Sequence, residues 1–401
     1  MRGLPILILI LIVAALASLI AVAFIGREFR RTGVLRWLGG YARSYGRRRR
    51  PEPGEIIDVL ICVADHYEPK SQHADVEQGL TRVRRWATEF PRLFGGFRDS
   101  DGRMPRHTFF FPAEEYEPEY LDLLAELCRA GYGEVEIHLH HHNDTAENLR
   151  RSLDEFKRTL GERHGLLSRD RNSGEIRYAF IHGNWALCNS RPDGARCGVD
   201  QELTILRETG CFVDMTFPSA PDPTQPPIVN SLYYARDLPG KRASHEIGVA
   251  VGTRSPQADE MMLIQGPLLF DWRRRKWGLV PRIENGCLQA SQPPNLARLD
   301  NWLRARVQVP GRPDWYFVKL HCHGASEDAH STLLDEPMVH FHEELARRAA
   351  SDARFRYHYV TAREMYNLAK AAEDGFEGSV DEARDYLLVS NLVREPAESA
   401  T

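Results

Sequence analysis

The sequence lacks the patterns that mark several classes of protein. Its seven cysteines are scattered and no two form a C-x-x-C pair, so neither a disulfide framework nor a four-cysteine zinc site is predicted. The formal net charge is only -4, and no stripe of Lys and Arg interleaved with aromatics occurs beyond the N-terminal region, which argues against nucleic acid as a partner. With 401 residues, 42% hydrophobic and 27% charged, the composition is typical of a globular fold of one large or two average domains.

One long hydrophobic run is present, at the N-terminus. From Leu4 to Ile25 the chain is apolar apart from Ser18, which matches the roughly 20 residues that cross a bilayer as a helix. We therefore expect a transmembrane anchor over residues 1–26. A cleavable signal peptide is the alternative, although the run exceeds the roughly 7 to 15 residues of its apolar core.

Arginines follow the apolar run, and we interpret residues 27–54 as an Arg-rich linker that ends at Pro51 to Gly54. Glu28 is the one acidic residue among these arginines. The positive-inside rule places this flank, and with it the globular domain, in the cytoplasm. A periplasmic or extracellular domain is the alternative. The arginines are Arg27, Arg30, Arg31, Arg36, Arg43 and Arg47 to Arg50.

Apolar strands and amphipathic helices then alternate, which is the pattern of a parallel α/β sheet or barrel. Strands are predicted at residues 56–63, 107–111, 134–139, 178–181, 212–216, 315–320 and 357–360. Helices are predicted at residues 76–90, 120–130, 145–161, 200–209, 297–307, 337–351 and 362–372. We assign residues 55–375 to one domain and residues 376–401 to a tail.

The alternation stops at about residues 217–280, which are rich in Pro and Gly. We expect long loops or a small β insertion there, over the mouth of the sheet or barrel. The run from Arg273 to Lys276 favours a solvated turn over a recognition patch.

Four histidines within five residues, His138 and His140 to His142, close an apolar strand. Neutral imidazole is the commonest metal-ligating side chain, and a His-x3-His pair can present two nitrogens to one ion. We therefore predict His138 and His142 as metal ligands. The alternative is a solvated surface run of histidines.

Chemically capable side chains also follow the other predicted strands. Because the carboxyl ends of parallel strands meet at one edge, we expect these side chains to lie near the His run. A hydrolytic zinc site needs about three protein ligands, an open position for water, a base and an acid. His66 or Asp65 is a candidate third ligand, and Glu114, His182, Asn184, Trp185 and His323 are candidates for substrate binding. The residues at strand ends are Asp65, His66, Glu114, Glu115, His182, Asn184, Asp214, His321 and His323.

A strand ending in Asp-His, then a strand followed by His-x3-His, then a late strand ending in Leu-His resembles the polysaccharide deacetylases of the NodB type, carbohydrate esterase family 4. The resemblance covers roughly residues 56–370. It implies a distorted (β/α)7-type barrel and the metal-dependent hydrolysis of N- or O-acetyl groups on sugars. A polysaccharide of the cell envelope, or an exported one, is the implied substrate.

The resemblance also implies roles for individual residues. Asp65 resembles the catalytic base and His321 the general acid, with Asp214 orienting that histidine. His66, His138 and His142 resemble the ligands of a divalent metal. A set of three neutral imidazoles is compatible with zinc. The segment Ala64 to Glu68 departs from the family's Thr-Phe-Asp-Asp-Gly motif.

Two other functions remain open on the sequence. One is a glycoside hydrolase on a similar barrel, with Glu114 or Glu115 and a second carboxylate as its catalytic pair. The other is a sugar-binding or metal-binding protein that has lost catalysis, for which the altered first motif is the indication.

Overall fold

The computed structural model describes residues 3–47 and 49–392. Short 3-10 helices lie at Ser71–His73, Ala113–Glu115, Leu187–Asn189 and Ser244–Glu246, and one π turn at Thr159–Arg163. The remaining elements are, in chain order, α1 (Gly3–Arg31), α2 (Val34–Arg47), β1 (Ile57–His66), α3 (Val76–Phe94), β2 (His107–Pro112), α4 (Pro118–Arg129), β3 (Gly133–Leu139), α5 (Ala146–Arg158), β4 (Ser168–Asp170), β5 (Ile176–His182), α6 (Glu202–Glu208), β6 (Cys211–Asp214), β7 (Leu232–Ala235), β8 (Gly248–Ala250), β9 (Met261–Ile264), β10 (Leu269–Lys276), β11 (Val280–Glu284), α7 (Leu296–Ala305), β12 (Trp315–Cys322), α8 (Glu327–Leu333), α9 (Glu336–Ser351), β13 (Phe355–Tyr359), α10 (Ala362–Glu373), α11 (Val380–Ala383) and β14 (Leu388–Ser390).

A large sheet with mostly parallel strands organises the molecule. Its strand order is β12-β1-β2-β3-β5-β6-β9-β7-β8, and the pairs from β12 through β9 are parallel. The α/β class predicted from the sequence is thereby confirmed. A closed barrel is not formed by the strands that the structure describes, because this order is open, with β12 and β8 as its ends.

The strands are buried on both faces, as parallel strands covered by helices must be. Every residue of β2, β3 and β12 is buried. In β1, Leu60 and Cys62 face one apolar cluster, whereas Val59 and Ile61 face the other. The carboxyl ends of β1, β2, β3 and β12 consequently lie side by side at one edge of the sheet.

Local sequence signals begin the helices that cover the sheet. Asp75 caps α3 and forms a reciprocal capping box with Gln78. Thr361 and Glu364 do the same for α10. Such caps satisfy amide groups that the first turn leaves without partners, and each contributes about 1 kcal/mol to stability.

The expected insertion at about residues 217–280 contains more regular structure than loops alone. β9 pairs in parallel with β6, and β7 and β8 extend the same sheet with antiparallel pairing. β10 and β11 form a separate antiparallel hairpin.

The N-terminal segment consists of two helices. Within the described residues, α1 is the one helix long and apolar enough to cross a membrane, over Leu11–Arg31. α2 occupies much of the expected linker and packs on the domain, where Trp37 is fully buried and stacks on Phe270 at a centroid distance of 5.2 Å. At the other end, β14 pairs with β4, so part of the expected tail belongs to the fold, and residues 393–401 lie outside the described residues.

Candidate metal centre

Four imidazoles lie in a row at the carboxyl edge of the sheet. Their order is His140, His138, His66 and His323, and neighbouring ring centroids are each 4.8 Å apart. His66 is the last residue of β1, His138 lies near the end of β3, and His323 directly follows β12. The parallel register therefore brings together histidines that are far apart in the sequence.

Glu68 lies alongside this row of rings. Its Oε1 is 3.1 Å from Nε2 of His138 and 3.4 Å from Nε2 of His140, and its Oε2 is 3.9 Å from Nδ1 of His323. Burial favours a higher pKa for Glu68, but the hydrogen bond with His138 and the neighbouring imidazoles outweigh it and lower the pKa. Glu68 is thus an ionised carboxylate among imidazole nitrogens. We call Glu68 and the four histidines the His-Glu cluster.

Hydrogen bonds determine which ring nitrogens carry protons. Nδ1 of His138 lies 3.0 Å from the carbonyl oxygen of Ile181, which only accepts, so Nδ1 carries the proton. The other nitrogen, Nε2, lies within hydrogen-bond distance of Glu68, and a metal bound there would displace the proton that Nε2 donates to this carboxylate. Nδ1 of His140 bonds to the Glu114 carboxylate at 2.5 Å. Burial lowers the pKa of His140, but the hydrogen bond with Glu114 and the nearby carboxylates outweigh it and raise the pKa, so a metal bound at Nε2 would displace a proton. Metal-ligating histidines typically have a carbonyl or carboxylate on their second nitrogen.

His66 is fully buried, and its Nδ1 has no hydrogen-bond partner. Burial, together with His323 and His138 nearby, lowers its pKa well below the usual range, so the ring is neutral. Trp185 lies beside it and beside His323, with centroid distances of 6.2 and 6.3 Å. A buried neutral imidazole with an unused nitrogen is suited to a metal ligand, and Trp185 forms a wall of the same site.

Two neighbouring carboxylates complete the surroundings of the cluster. Glu114 accepts hydrogen bonds from both the amide and Nδ1 of His140. Burial raises the pKa of Glu115 to about 7, and Glu68 and Glu114 act in the same direction. A carboxyl group with a pKa near neutrality can both hold and release a proton.

Asp65 lies outside this cluster. Its Oδ1 accepts a hydrogen bond from the amide of Gly324 at 2.6 Å, and its Oδ2 lies 2.8 Å from Nε2 of His107. A Cβ at Gly324 would lie 2.1 Å from Oδ2, so glycine is required at this contact. Asp65 therefore holds the segment that carries His323, whereas the resemblance implies a base facing the substrate.

His142 is exposed and belongs to none of the metal-compatible groups formed by the described residues. The pair that the structure brings together is instead His138, in β3, and His140, the first residue after this strand. Residues two apart share a face of a strand, whereas the His-x3-His spacing suits a helix or a turn. His140 and Glu68 are the cluster members that sequence reasoning did not assign. The two-residue period of a strand was the signal that could have identified His140. Glu68 is the second residue after β1, and no sequence pattern indicated it.

His141 and His182 form a different group with Glu202, in which all three side chains are buried. Nε2 of His141 bonds to Glu202 at 3.0 Å and its Nδ1 bonds to Asp144 at 3.1 Å. The amide of Asn184 donates to Nδ1 of His182, so the proton of His182 is on Nε2. Neither ring offers a lone pair to an ion, and we interpret the group as a buried ion pair. His182 and Asn184 thus support the loop that carries Trp185.

His321 and Asp214 are not paired with each other among the described residues. Both oxygens of Asp214 accept hydrogen bonds from Thr216, and burial raises its pKa to about 7. His321 is buried and its Nδ1 has no hydrogen-bond partner. Lys319 interacts electrostatically with both Asp214 and His321, and burial lowers the pKa of Lys319 to about 8.

Two further groups of metal-compatible side chains have structural explanations. His358 bonds to Asp58 and Asp101 through its two ring nitrogens, each at 2.8 Å, and Arg384 also bonds to Asp101. Asp65, His107 and Cys322 form the other group, in which burial holds the pKa of the Cys322 thiol far above its usual range. A thiol with a raised pKa is a poor metal ligand.

The His-Glu cluster is therefore the group of described residues in which imidazole nitrogens of His138, His140 and His323 converge on one carboxylate, that of Glu68. It could hold a metal through two overlapping sets, His66 with Glu68 and His323, and Glu68 with His138 and His140. No protein-family model matches this chain, and no curated protein matches it in sequence.

Proposed function

We propose that this protein is a metal-dependent hydrolase whose divalent metal, zinc by ligand type, is bound by the His-Glu cluster. One observation carries the proposal. Nε2 of His138 and Nε2 of His140 lie 3.1 and 3.4 Å from the same oxygen of Glu68. Positive charge has to lie between these atoms, either as protons or as a metal ion that displaces them, and imidazole and carboxylate are ligands of hydrolytic zinc.

A metal bound there would polarise a carbonyl group and lower the pKa of a coordinated water. The surrounding residues have separable tasks. Glu114 orients the His140 ring through its hydrogen bond to Nδ1. Glu115, with a pKa of about 7, is the carboxyl group suited to move a proton to or from the substrate. Asp65 keeps His323 in place through the amide of Gly324.

The substrate we propose is an acetylated polysaccharide of the cell envelope, or an exported one. The resemblance to polysaccharide deacetylases supports this class. Trp185 supports it independently, because this partly exposed ring lies beside His66 and His323, where an aromatic face can stack on a sugar. Hydrolysis of an amide or ester acetyl group suits a polarised carbonyl next to Glu115.

We further propose that α1 anchors the protein in a membrane. Its length and hydropathy suit a span, and the arginines that follow it favour a cytoplasmic position for the domain. A periplasmic or extracellular position is the alternative, favoured by the class of substrate.

A carboxylate-based glycoside hydrolase is the second candidate. The observation favouring it is the contrast between Glu115, with a raised pKa, and Glu68, with a lowered pKa, on the same side of the sheet. One protonated and one ionised carboxyl group is the arrangement that glycoside hydrolysis needs. Activity that persists after complete removal of metal would favour this candidate.

Elemental analysis of the purified full-length chain in detergent tests the metal proposal. We expect bound zinc whose amount falls in the His138→Ala, His140→Ala double variant. His142→Ala is the matched control, because His142 lies in the same loop but outside the cluster. An undiminished zinc content in the double variant, or a reduced one in His142→Ala, would contradict the proposed ligands. A chain that retains no metal when dialysed with zinc would contradict the function.

A further inference from the structure

The shape of the His-Glu cluster suggests more than one metal ion. Ligands of a single zinc ion surround one point, and two nitrogens about 2.1 Å from it lie within roughly 4.2 Å of each other. The four imidazoles instead form an open row. Among the described residues, no ring contact joins His140, at one end, to His66 or His323.

Glu68 spans this row with its two oxygens. Oε1 faces His138 and His140, and Oε2 faces His323. Each oxygen thus has its own imidazoles, and in each of the two sets that share Glu68 the donor atoms lie within 4.8 Å of one another. A carboxylate placed in this way is suited to bridge two ions.

We propose that the cluster binds two divalent ions bridged by Glu68, one held by His138 and His140 and the other by His66 and His323. This inference rests on the proposed metal-dependent function. In two-metal hydrolases the ions typically lie about 3.5–4 Å apart, a distance that one carboxylate can bridge. A carbonyl oxygen and an attacking water can then occupy different ions.

Metal stoichiometry of the full-length chain in detergent tests the inference. After saturation with zinc and removal of the excess, we expect two ions per chain. His140→Ala and His323→Ala should each retain one, because each removes a ligand from only one set. His142→Ala should retain two.

Substitution with Mn²⁺ gives a second readout. Two ions sharing Glu68 should give an exchange-coupled electron paramagnetic resonance spectrum, and Glu68→Gln should abolish the coupling. One ion per chain, with an uncoupled spectrum, would overturn the two-metal inference and leave the hydrolase proposal intact. No bound ion would overturn both.

A second inference concerns the β10–β11 hairpin, which lies apart from the main sheet. Three of its large apolar side chains are exposed: Trp277 by 56% and Leu279 by 55% at the tip, and Trp272 by 54% within β10. Trp277 also packs edge-on against Phe24 of α1, with ring centroids 4.5 Å apart. Phe24 lies at the end of the apolar run, so the hairpin tip lies where the run becomes polar.

Cations line a cleft between the hairpin and α1. Arg31, Arg274, Lys276 and Arg282 lie along it, with Glu28 as the acidic residue among them. Glu28 is already paired with Arg31 at 2.9 Å and with Lys276 at 3.2 Å. Arg274 is likewise paired, with Asp271 at 2.7 Å, so the excess positive charge of the cleft comes from Arg31, Lys276 and Arg282.

We infer that this hairpin lies in the headgroup region of the bilayer and that the cleft binds anionic phospholipid headgroups. Tryptophan is enriched at membrane interfaces, and Lys and Arg side chains near an anionic surface are attracted to it. We assign anionic headgroups as the ligand because the hairpin contacts the proposed membrane helix α1 and because the positive cleft is complementary to their charge.

Tryptophan fluorescence of the full-length chain in lipid nanodiscs tests this inference. Lipids brominated near the headgroup should quench part of the emission, and the Trp272→Ala, Trp277→Ala double variant should lose that quenching. Four of the other tryptophans, Trp37, Trp86, Trp302 and Trp315, are buried and serve as the unquenched background. Equal quenching in both proteins would overturn the inference.

Reversing the charge of Arg282 distinguishes headgroup binding in the cleft from simple proximity of the hairpin to the membrane. Anionic nanodiscs should protect the bonds after Arg274 and Lys276 from trypsin more than zwitterionic nanodiscs do. The Arg282→Glu variant should reduce this difference several-fold without creating or removing those two cleavage sites. Protection that is independent of lipid charge would overturn the assignment of an anionic headgroup.

Discussion

Nε2 of His138 lies 3.1 Å from Oε1 of Glu68, while the other nitrogen of the same ring lies 3.0 Å from the carbonyl oxygen of Ile181. The carbonyl comes from β5, the neighbour of β3 in the sheet. The backbone of one strand therefore fixes a proton on Nδ1 of a histidine on the next, and it turns Nε2 of the same ring towards Glu68.

Glu114 should tune metal affinity through His140. Replacing it with Gln keeps the shape but weakens the hydrogen bond to Nδ1, and loss of such outer partners typically reduces metal affinity by about 10–100-fold. Competition with a chromophoric chelator measures the change. Glu119→Gln is the control, because Glu119 pairs on the surface with Arg84. Equal affinities in the two variants would contradict the role of Glu114.

Asp65 should behave as a positioning residue. Asp65→Ala removes the acceptor for the Gly324 amide and leaves that buried donor unpaired, at a cost of about 1–3 kcal/mol. We expect a lower Tm and weaker binding of the metal that His323 holds. A catalytic base would behave differently, since Asp65→Ala would then retain both the Tm and the metal and lose only kcat.

The buried His358 should make stability depend on pH. Burial lowers its pKa, but hydrogen bonds to Asp101 and Asp58 outweigh this and raise it above the usual value. Its contribution is therefore fully present below about pH 6.5 and lost as the pH rises through the raised pKa. The pKa of Asp101 is lowered to about 2, so its contribution is present above its ordinary pKa of about 3.9 and lost as the pH falls towards 2.

Thermal unfolding of the wild type and of His358→Gln, compared across pH, measures this dependence. We expect the variant to be less stable by about 1–3 kcal/mol near pH 5, with a difference that shrinks at alkaline pH. A difference that stays constant from pH 5 to pH 9 would show that the ring contributes packing and not charge.

Trp37 should hold α2 on the domain. The ring is fully buried against Phe270 and Tyr41, and Trp→Ala changes in cores typically cost about 3–5 kcal/mol. We expect Trp37→Ala to open α2 to trypsin at Arg43 while the metal content stays unchanged. Unchanged cleavage at Arg43 would mean that other contacts hold the helix.

The sequence predicted the central architecture because its signals there are local. β1, β2, β3, β5, β6, β12 and β13 are short apolar segments between amphipathic helices, and each lies within a few residues of its predicted position. β7 to β9 were not predicted as individual strands, because β6 and β9 pair across a long stretch of chain and the flanks of these strands are rich in Pro and Gly. α2 was interpreted as part of a linker, because its apolar face packs against the hairpin and only the tertiary structure reveals that contact.

Prediction of the site had a similar limit. His66, His138 and His323 could be selected because they end strands, and the sheet brings them together. Selecting His142 over His140 depended on whether the chain had already left the strand, which one sequence does not determine. Glu68 joins the cluster through the turn after β1, and only the tertiary structure reveals that turn.

The packing of α2 also limits how the domain can move. Only Thr32 and Gly33 separate α1 from α2, and the Trp277 contact with Phe24 adds a second attachment. If α1 spans a bilayer as proposed, these two attachments would hold the domain at a fixed height above the membrane. The candidate metal centre would then stay at that height, and a polymer substrate of the proposed kind would have to reach it there.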